Sequence, residues 1–186
     1  MRNITATALI LSIIFSFNNR CTAQAYRVKT LSGSFGAEVL FPEWEFAAIT
    51  KTGGGITLKA EYVFAEHASV TANTGYYFMA AKNTLNIINQ DISAIPIKLG
   101  TRYYFGTFYG AGEAGGIFFT GNNSRAGFSY SIGLGDKFKL GRNVFDIGLR
   151  HEAWHIADIS SRGVIGLRVA YEFELTEKQN SRMPEL

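Results

Sequence analysis

The residues of this chain whose types and spacing most resemble a reaction centre are His151-Glu152-Ala153-Trp154-His155, which fit H-E-x-x-H. That pattern binds zinc on a helix, where positions i and i+4 share a face and two imidazoles reach one ion. On a strand the two histidines stand about 13 Å apart and cannot share a metal. The preceding residues decide the matter: Phe145, Ile147 and Leu149 alternate with Asp146, Gly148 and Arg150, a period of two. Nor does a third ligand follow at the spacing of the extended zinc-protease motif. The segment is read as a strand, and no metal ligand or catalytic residue is assigned. Gly110-Ala111-Gly112-Glu113-Ala114-Gly115 fits G-x-G-x-x-G, yet it lies in another alternating stretch with no helix behind it to hold a phosphate. Its small residues are read as a place where a sheet bends or packs closely, and no cofactor is assigned.

The elements that position these residues are strands. Turn-forming clusters separate eight alternating segments, near Gly33–Leu40, Gly55–Phe64, Ala68–Ala80, Ala94–Phe105, Phe108–Phe119, Gly127–Leu134, Val144–Trp154 and Gly163–Leu175. In the second, Ile56, Leu58, Ala60, Tyr62 and Phe64 oppose Thr57, Lys59, Glu61 and Val63. The fourth and eighth repeat the division into an oily and a charged face. Eight is an even number, as bacterial transmembrane barrels require.

Alternation does not say which face points outward. Two aromatic groups choose the lipid-facing reading: Phe64, Tyr103, Phe105, Phe108, Phe145, Tyr171 and Phe173 near one rim, and Phe78, Phe118, Phe128, Tyr130 and Trp154 near the other. Such girdles mark the two membrane interfaces. Connections of unequal length agree, with short ones at Ala65–His67 and Gly106–Thr107 and long ones at Phe41–Gly54 and Ala81–Ser93. The stretch Gly135–Asn143, carrying Lys137, Lys139 and Arg142, reads as a nine-residue loop where a short turn is due.

The phrases IPIKLGTRYYFGTFYGAGEAGG (Ile95–Gly116) and GVIGLRVAYEF (Gly163–Phe173) resemble the small outer-membrane barrels of the OmpA and OmpX type. The resemblance implies an all-β, eight-stranded, antiparallel up-and-down barrel in the bacterial outer membrane. It further implies lipopolysaccharide and other outer-membrane lipids as surroundings, the barrel-assembly machinery as a folding partner, a monomer, and surface ligands that the sequence does not identify. Phe173 is followed by a polar tail, where such barrels often end on an aromatic residue.

The N-terminus fits export. Arg2 precedes an apolar run from Ile4 to Phe17, and Ala23 and Ala25 offer a cleavage site. The run is shorter than the roughly 20 residues of a spanning helix. Residues 1–25 are read as a cleavable signal peptide, 26–175 as one barrel domain and 176–186 as a polar C-terminal tail. Cys21, the single cysteine, is discarded with the signal, since Asn18, Asn19 and Arg20 before it do not suit a lipidation site. Removing Arg2 and Arg20 from 18 basic residues leaves 16 against 15 acidic ones, so no electrostatic case for nucleic acid exists.

With the oily face outward, Glu38, Lys59, Glu61, Lys98, Arg102, Glu113, Asp146, Arg150, Glu152, Arg168 and Glu172 point into the lumen, five basic and six acidic. A barrel of eight strands is just wide enough for side chains to fill, so these groups are expected to pair and plug it. Glu113 is expected between Lys98 and Arg102 across the Gly106–Thr107 hairpin. The reading that follows is a structural or interaction barrel, not an enzyme and not a porin, with binding left to loops Phe41–Gly54, Ala81–Ser93, Thr120–Ala126 and His155–Arg162. Two alternatives stand beside it. One is a lipid-modifying enzyme similar to lipid A deacylases, with His155 near a rim, Ala157 where that pattern wants serine, and Ser160 and Ser161 displaced. The other is a periplasmic lipid-binding barrel with the oily face inside.

Overall fold

A computed structural model describes residues 28–82, 91–120, 124–157 and 159–175, with side chains in the last stretch described from Arg162 onward. The proposed signal peptide and polar tail lie outside these residues, as do residues 26–27 of the proposed barrel domain. The chain runs β1 (Thr30–Pro42), α1 (Trp44–Ile49), β2 (Gly53–Ala65), β3 (Ala68–Met79), β4 (Ile92–Phe105), β5 (Phe108–Thr120), β6 (Arg125–Leu140), β7 (Asn143–Ile156) and β8 (Ile159–Glu174). Each strand pairs antiparallel with the next, and β1 closes on β8 from Ser32↔Glu174 to Pro42↔Val164, giving an eight-stranded up-and-down barrel without edges.

The faces are disposed as the alternation requires. Ile56, Leu58, Ile97, Leu99, Ile132 and Leu134 lie on the exterior, each at least half exposed, while Thr57, Glu61, Lys98, Arg102 and Ser131 are buried inside. This arrangement excludes the lipid-binding alternative, which needed the oily side chains within. Near one rim Phe138, Phe145, Tyr171 and Phe173 form a continuous row, with ring centroids 5.7, 5.9 and 6.4 Å apart in turn. Near the other, Phe128 neighbours Tyr130, and Tyr130 stacks on His155 at 5.6 Å.

Three expectations are corrected. Gly135–Asn143 is no loop: β6 continues to Leu140 and turns at Gly141–Arg142, with Gly141 in the left-handed region at φ +65°. Lys137, which looked like part of a solvated basic cluster, faces inward and is buried because Glu61 and Glu172 neutralise it at 2.9 and 2.7 Å. All three connections at this end, Glu66–His67, Gly106–Thr107 and Gly141–Arg142, are therefore two-residue turns. Second, four strands run further toward the opposite end than expected: β5 reaches Thr120 and β6 begins at Arg125, β7 reaches Ile156 and β8 begins at Ile159, because the ladders continue through Phe119↔Arg125 and Ile156↔Ile159. Third, Trp154 does not join the outer girdle. It lies on the same inward parity as Glu152 and is fully buried.

Candidate functional site

The lumen is built in three levels. Nearest the short turns, Glu61 accepts from Arg102 Nη1 and Lys137 Nζ, both at 2.9 Å, from Ser69 Oγ at 2.5 Å, and from the Tyr104 hydroxyl. Beside it Asp146 accepts from Arg102 Nη2 at 2.9 Å, Arg168 Nη1 at 3.1 Å and the Tyr109 hydroxyl at 2.5 Å. The Arg102 guanidinium also lies over the Tyr109 ring, 4.1 Å from its centroid.

One step along the strands, Glu113 meets Lys59 at 2.6 Å, Lys98 at 3.4 Å and Asn73 Nδ2 at 3.0 Å. Glu152 gathers Lys98 at 2.8 Å, Arg150 at 2.7 Å, Ser129 Oγ at 2.7 Å and the indole N–H of Trp154 at 2.9 Å. Arg150 reaches on to Glu38 at 2.6 Å. Every lumen residue expected from the sequence is inside, but the pairing differs. Glu113 takes Lys59 from across the barrel in place of Arg102, whose long side chain reaches away to Glu61 and Asp146. Adding Lys137 to the expected set makes the charges equal, with Lys59, Lys98, Arg102, Lys137, Arg150 and Arg168 against Glu38, Glu61, Glu113, Asp146, Glu152 and Glu172. A residual cavity of about 30 Å³, lined by Lys59, Arg102, Tyr109, Glu113, Arg150 and Arg168 among others, has room for about one water.

The third level, toward the loops, is apolar and was not foreseen. Leu40, Phe46, Met79, Ala94, Ile117, Trp154 and Val164 form a buried cluster that shuts the lumen. Trp154 is its centre: Phe46 and Phe119 meet it edge-on at 5.6 and 5.7 Å, and Tyr77 stacks on it at 6.4 Å. Phe46 arrives on α1, a helix of 6 residues, too short to declare itself by periodicity. It is tied down by Lys82 N to Ile49 O at 2.8 Å, Lys82 Nζ to Ala47 O at 2.6 Å, and Glu43 N to Gly163 O at 3.0 Å.

The motifs singled out in the sequence take ordinary places in this wall. His151 and His155 both face outward while Glu152 between them faces in, so they do not converge. Among the described residues, no three His, Cys, Asp or Glu side chains come together as a metal site. His151 Nε2 instead meets Glu43 Oε2 at 2.9 Å on the outer surface, a pairing across 108 residues that spacing alone does not reveal. His155, the histidine considered for lipid hydrolysis, stacks on Tyr130 and makes no ion pair among the described residues; the side chains of Ser160 and Ser161 lie outside them. The G-x-G-x-x-G stretch is continuous strand, and Gly115 is needed there because an added Cβ would collide with the Ile97 carbonyl of β4. His67 sits in its two-residue turn, with its carbonyl accepting from Tyr104 N at 2.8 Å.

The chain matches no protein-family model and no curated protein sequence. Among solved structures it is similar to Ail, the attachment invasion locus protein of Yersinia pestis, at 19% identity over 79% of this chain and 100% of that one, with TM-score 0.51. The backbone structure of the same outer-membrane protein in a phospholipid bilayer nanodisc aligns with 18% identity over 78% and 99% of the two chains, TM-score 0.54. OprG, an outer membrane protein of Pseudomonas aeruginosa, aligns at 14% identity over 80% and 98%, TM-score 0.47. The likeness to Ail is one of fold, and that fold is the small transmembrane β-barrel.

Proposed function

We propose that the chain is a monomeric outer-membrane barrel, closed to solutes, that acts as a rigid scaffold for recognition at its loop end. Carrying this reading is the coincidence of an apolar exterior with a lumen of balanced, paired charge. Water cannot cover the first in a soluble barrel, and a solute cannot pass the second. The fold's likeness to a barrel studied in a phospholipid nanodisc supports the location. Loops on a rigid barrel are where binding residues gather. The end bearing α1 then faces outward and the end with three two-residue turns faces the periplasm. Lipopolysaccharide would surround the outer half of the wall, and the barrel-assembly machinery would insert the chain. Among the described residues, the outward placement of His151 and His155, paired with Glu43 and stacked on Tyr130, favours the scaffold role over catalysis.

Two measurements test the proposal. Detergent-folded protein is expected to change its gel mobility on boiling, as a closed barrel does on unfolding; equal migration in several detergents counts against it. In planar bilayers the same preparation is expected to give no steady conductance steps, because the charge levels and the Trp154 plug fill the bore. Large, long-lived channels would show that the lumen is open. Protease cleavage at the α1 end on intact cells checks the orientation independently of both.

A further inference from the structure

The lumen's charges balance over its whole length but not around the cavity between its two charged levels. That cavity lies against the inner wall of β5, β6 and β7, where Ala111 is directly opposite Gly133 and Gly148 follows on the next strand. These residues bring little bulk inward: within 4 Å, a Cβ built on Gly148 would meet only the Tyr109 hydroxyl at 3.1 Å and the Leu134 carbonyl at 3.7 Å. The space so left is faced by Lys59, Arg102, Arg150 and Arg168, against a single lining carboxylate, Glu113.

Donors outnumber acceptors here. Arg102 is 2% exposed and its Nε has no hydrogen-bond partner among the described residues, while its two terminal nitrogens are taken by Glu61 and Asp146. Lys59 Nζ meets one carboxylate oxygen, Glu113 Oε1 at 2.6 Å, so an ammonium with three hydrogens has donors to spare. Both oxygens of Glu113 are engaged, Oε1 by Lys59 and Oε2 by Lys98 and Asn73. A water would bring two hydrogens of its own to a site already rich in them. A halide only accepts, and it answers both the unclaimed donors and the local excess of positive charge, at a depth where little solvent screens that attraction. The cavity, about 30 Å³, takes a particle of water's size, and chloride is only slightly larger.

We propose that this cavity, faced by Lys59, Arg102, Arg150 and Arg168, is a binding site for one monovalent anion of chloride size. The anion is a structural ligand and not a permeating one, because the apolar cluster around Trp154 shuts the loop end. The site goes beyond the scaffold reading and does not depend on it, since the lumen has the same lining whichever way the barrel is inserted.

Urea unfolding of the barrel in lipid vesicles, followed by circular dichroism, tests this with chloride exchanged for gluconate at constant ionic strength. Screening is then equal, and gluconate is too large for the cavity. Above the site's Kd the unfolding equilibrium constant is expected to fall about tenfold for each tenfold rise in chloride, the linkage of one ligand bound only by the folded chain. Lys59→Met leaves Glu113 with Lys98 and Asn73, and is expected to move the onset of that dependence to about tenfold higher chloride, the effect of one charge-assisted contact. Gly148→Ala puts a methyl group into the cavity and is expected to weaken the dependence without removing a charge. Lys139→Gln, exposed at the turn end, is expected to leave it unchanged. In crystals grown with bromide, an anomalous peak is expected beside Arg102 Nε and Lys59 Nζ. Equal unfolding in chloride and gluconate overturns the proposal, and so does a dependence that survives unchanged in both cavity variants. A cavity peak without anomalous signal identifies water there and overturns it as well.

Discussion

Asp146→Asn is expected to destabilise the folded barrel by about 3–5 kcal/mol, the range for removing one partner from a buried ion pair. The size follows from what is left behind. Asp146 is the carboxylate partner of Arg168 and one of two for Arg102. Its loss leaves two buried guanidiniums facing an uncharged amide, with Arg102 leaning on a Glu61 already shared with Lys137. Arg102→Met is expected to be milder, about 1–3 kcal/mol, although it removes the larger side chain and two ion pairs. Glu61 keeps Lys137, and Asp146 keeps Arg168, so no carboxylate is orphaned. Reversible urea unfolding in lipid vesicles, followed by tryptophan fluorescence, measures both. If Asp146→Asn stays within 1 kcal/mol of the parent, or Arg102→Met proves the more harmful, the lumen is not held by the pairing described.

This ordering could not have been drawn from the sequence, although its participants could. Period-two alternation placed Asp146 and Arg102 inside, because a residue's parity on a strand is fixed by its neighbours and needs no knowledge of the partner strand. Pairing needs more. Which carboxylate a lysine or arginine reaches depends on strand stagger and side-chain length, so Glu113 meets Lys59 of β2 rather than Arg102 of its own hairpin. Lys137 was misplaced for a related reason: three basic residues within six positions resemble solvated loop unless two opposing carboxylates are known to wait inside.

The apolar plug escaped for a different reason. Alternation separates inside from outside but does not say that the inside changes from charged to greasy toward one end. Trp154 obeys the inward parity of Glu152, yet aromatic residues near strand ends suggest a girdle, and that cue prevailed wrongly.

Leu99→Arg is expected to cost about 2–4 kcal/mol when the barrel unfolds from a lipid bilayer, and this substitution bears most directly on which solvent the exterior meets. Leu99 lies near the middle of β4, faces out and is 70% exposed, so in water it is among the worst-placed side chains of the molecule. A soluble barrel would tolerate arginine there with a change near zero, or gain solubility, because no contact is lost and a greasy patch is interrupted. In hydrocarbon the guanidinium must be dragged from water or must thin the bilayer to reach it. The control is Tyr103→Arg, beside Phe105 and the His67 turn at the turn-end rim, where the depth dependence predicts about 0–1 kcal/mol for the charge itself. A large penalty at Leu99 with a small one at Tyr103 is the signature of a membrane midplane. Equal, small effects at both positions would remove the bilayer from the account while leaving the barrel and its paired lumen intact.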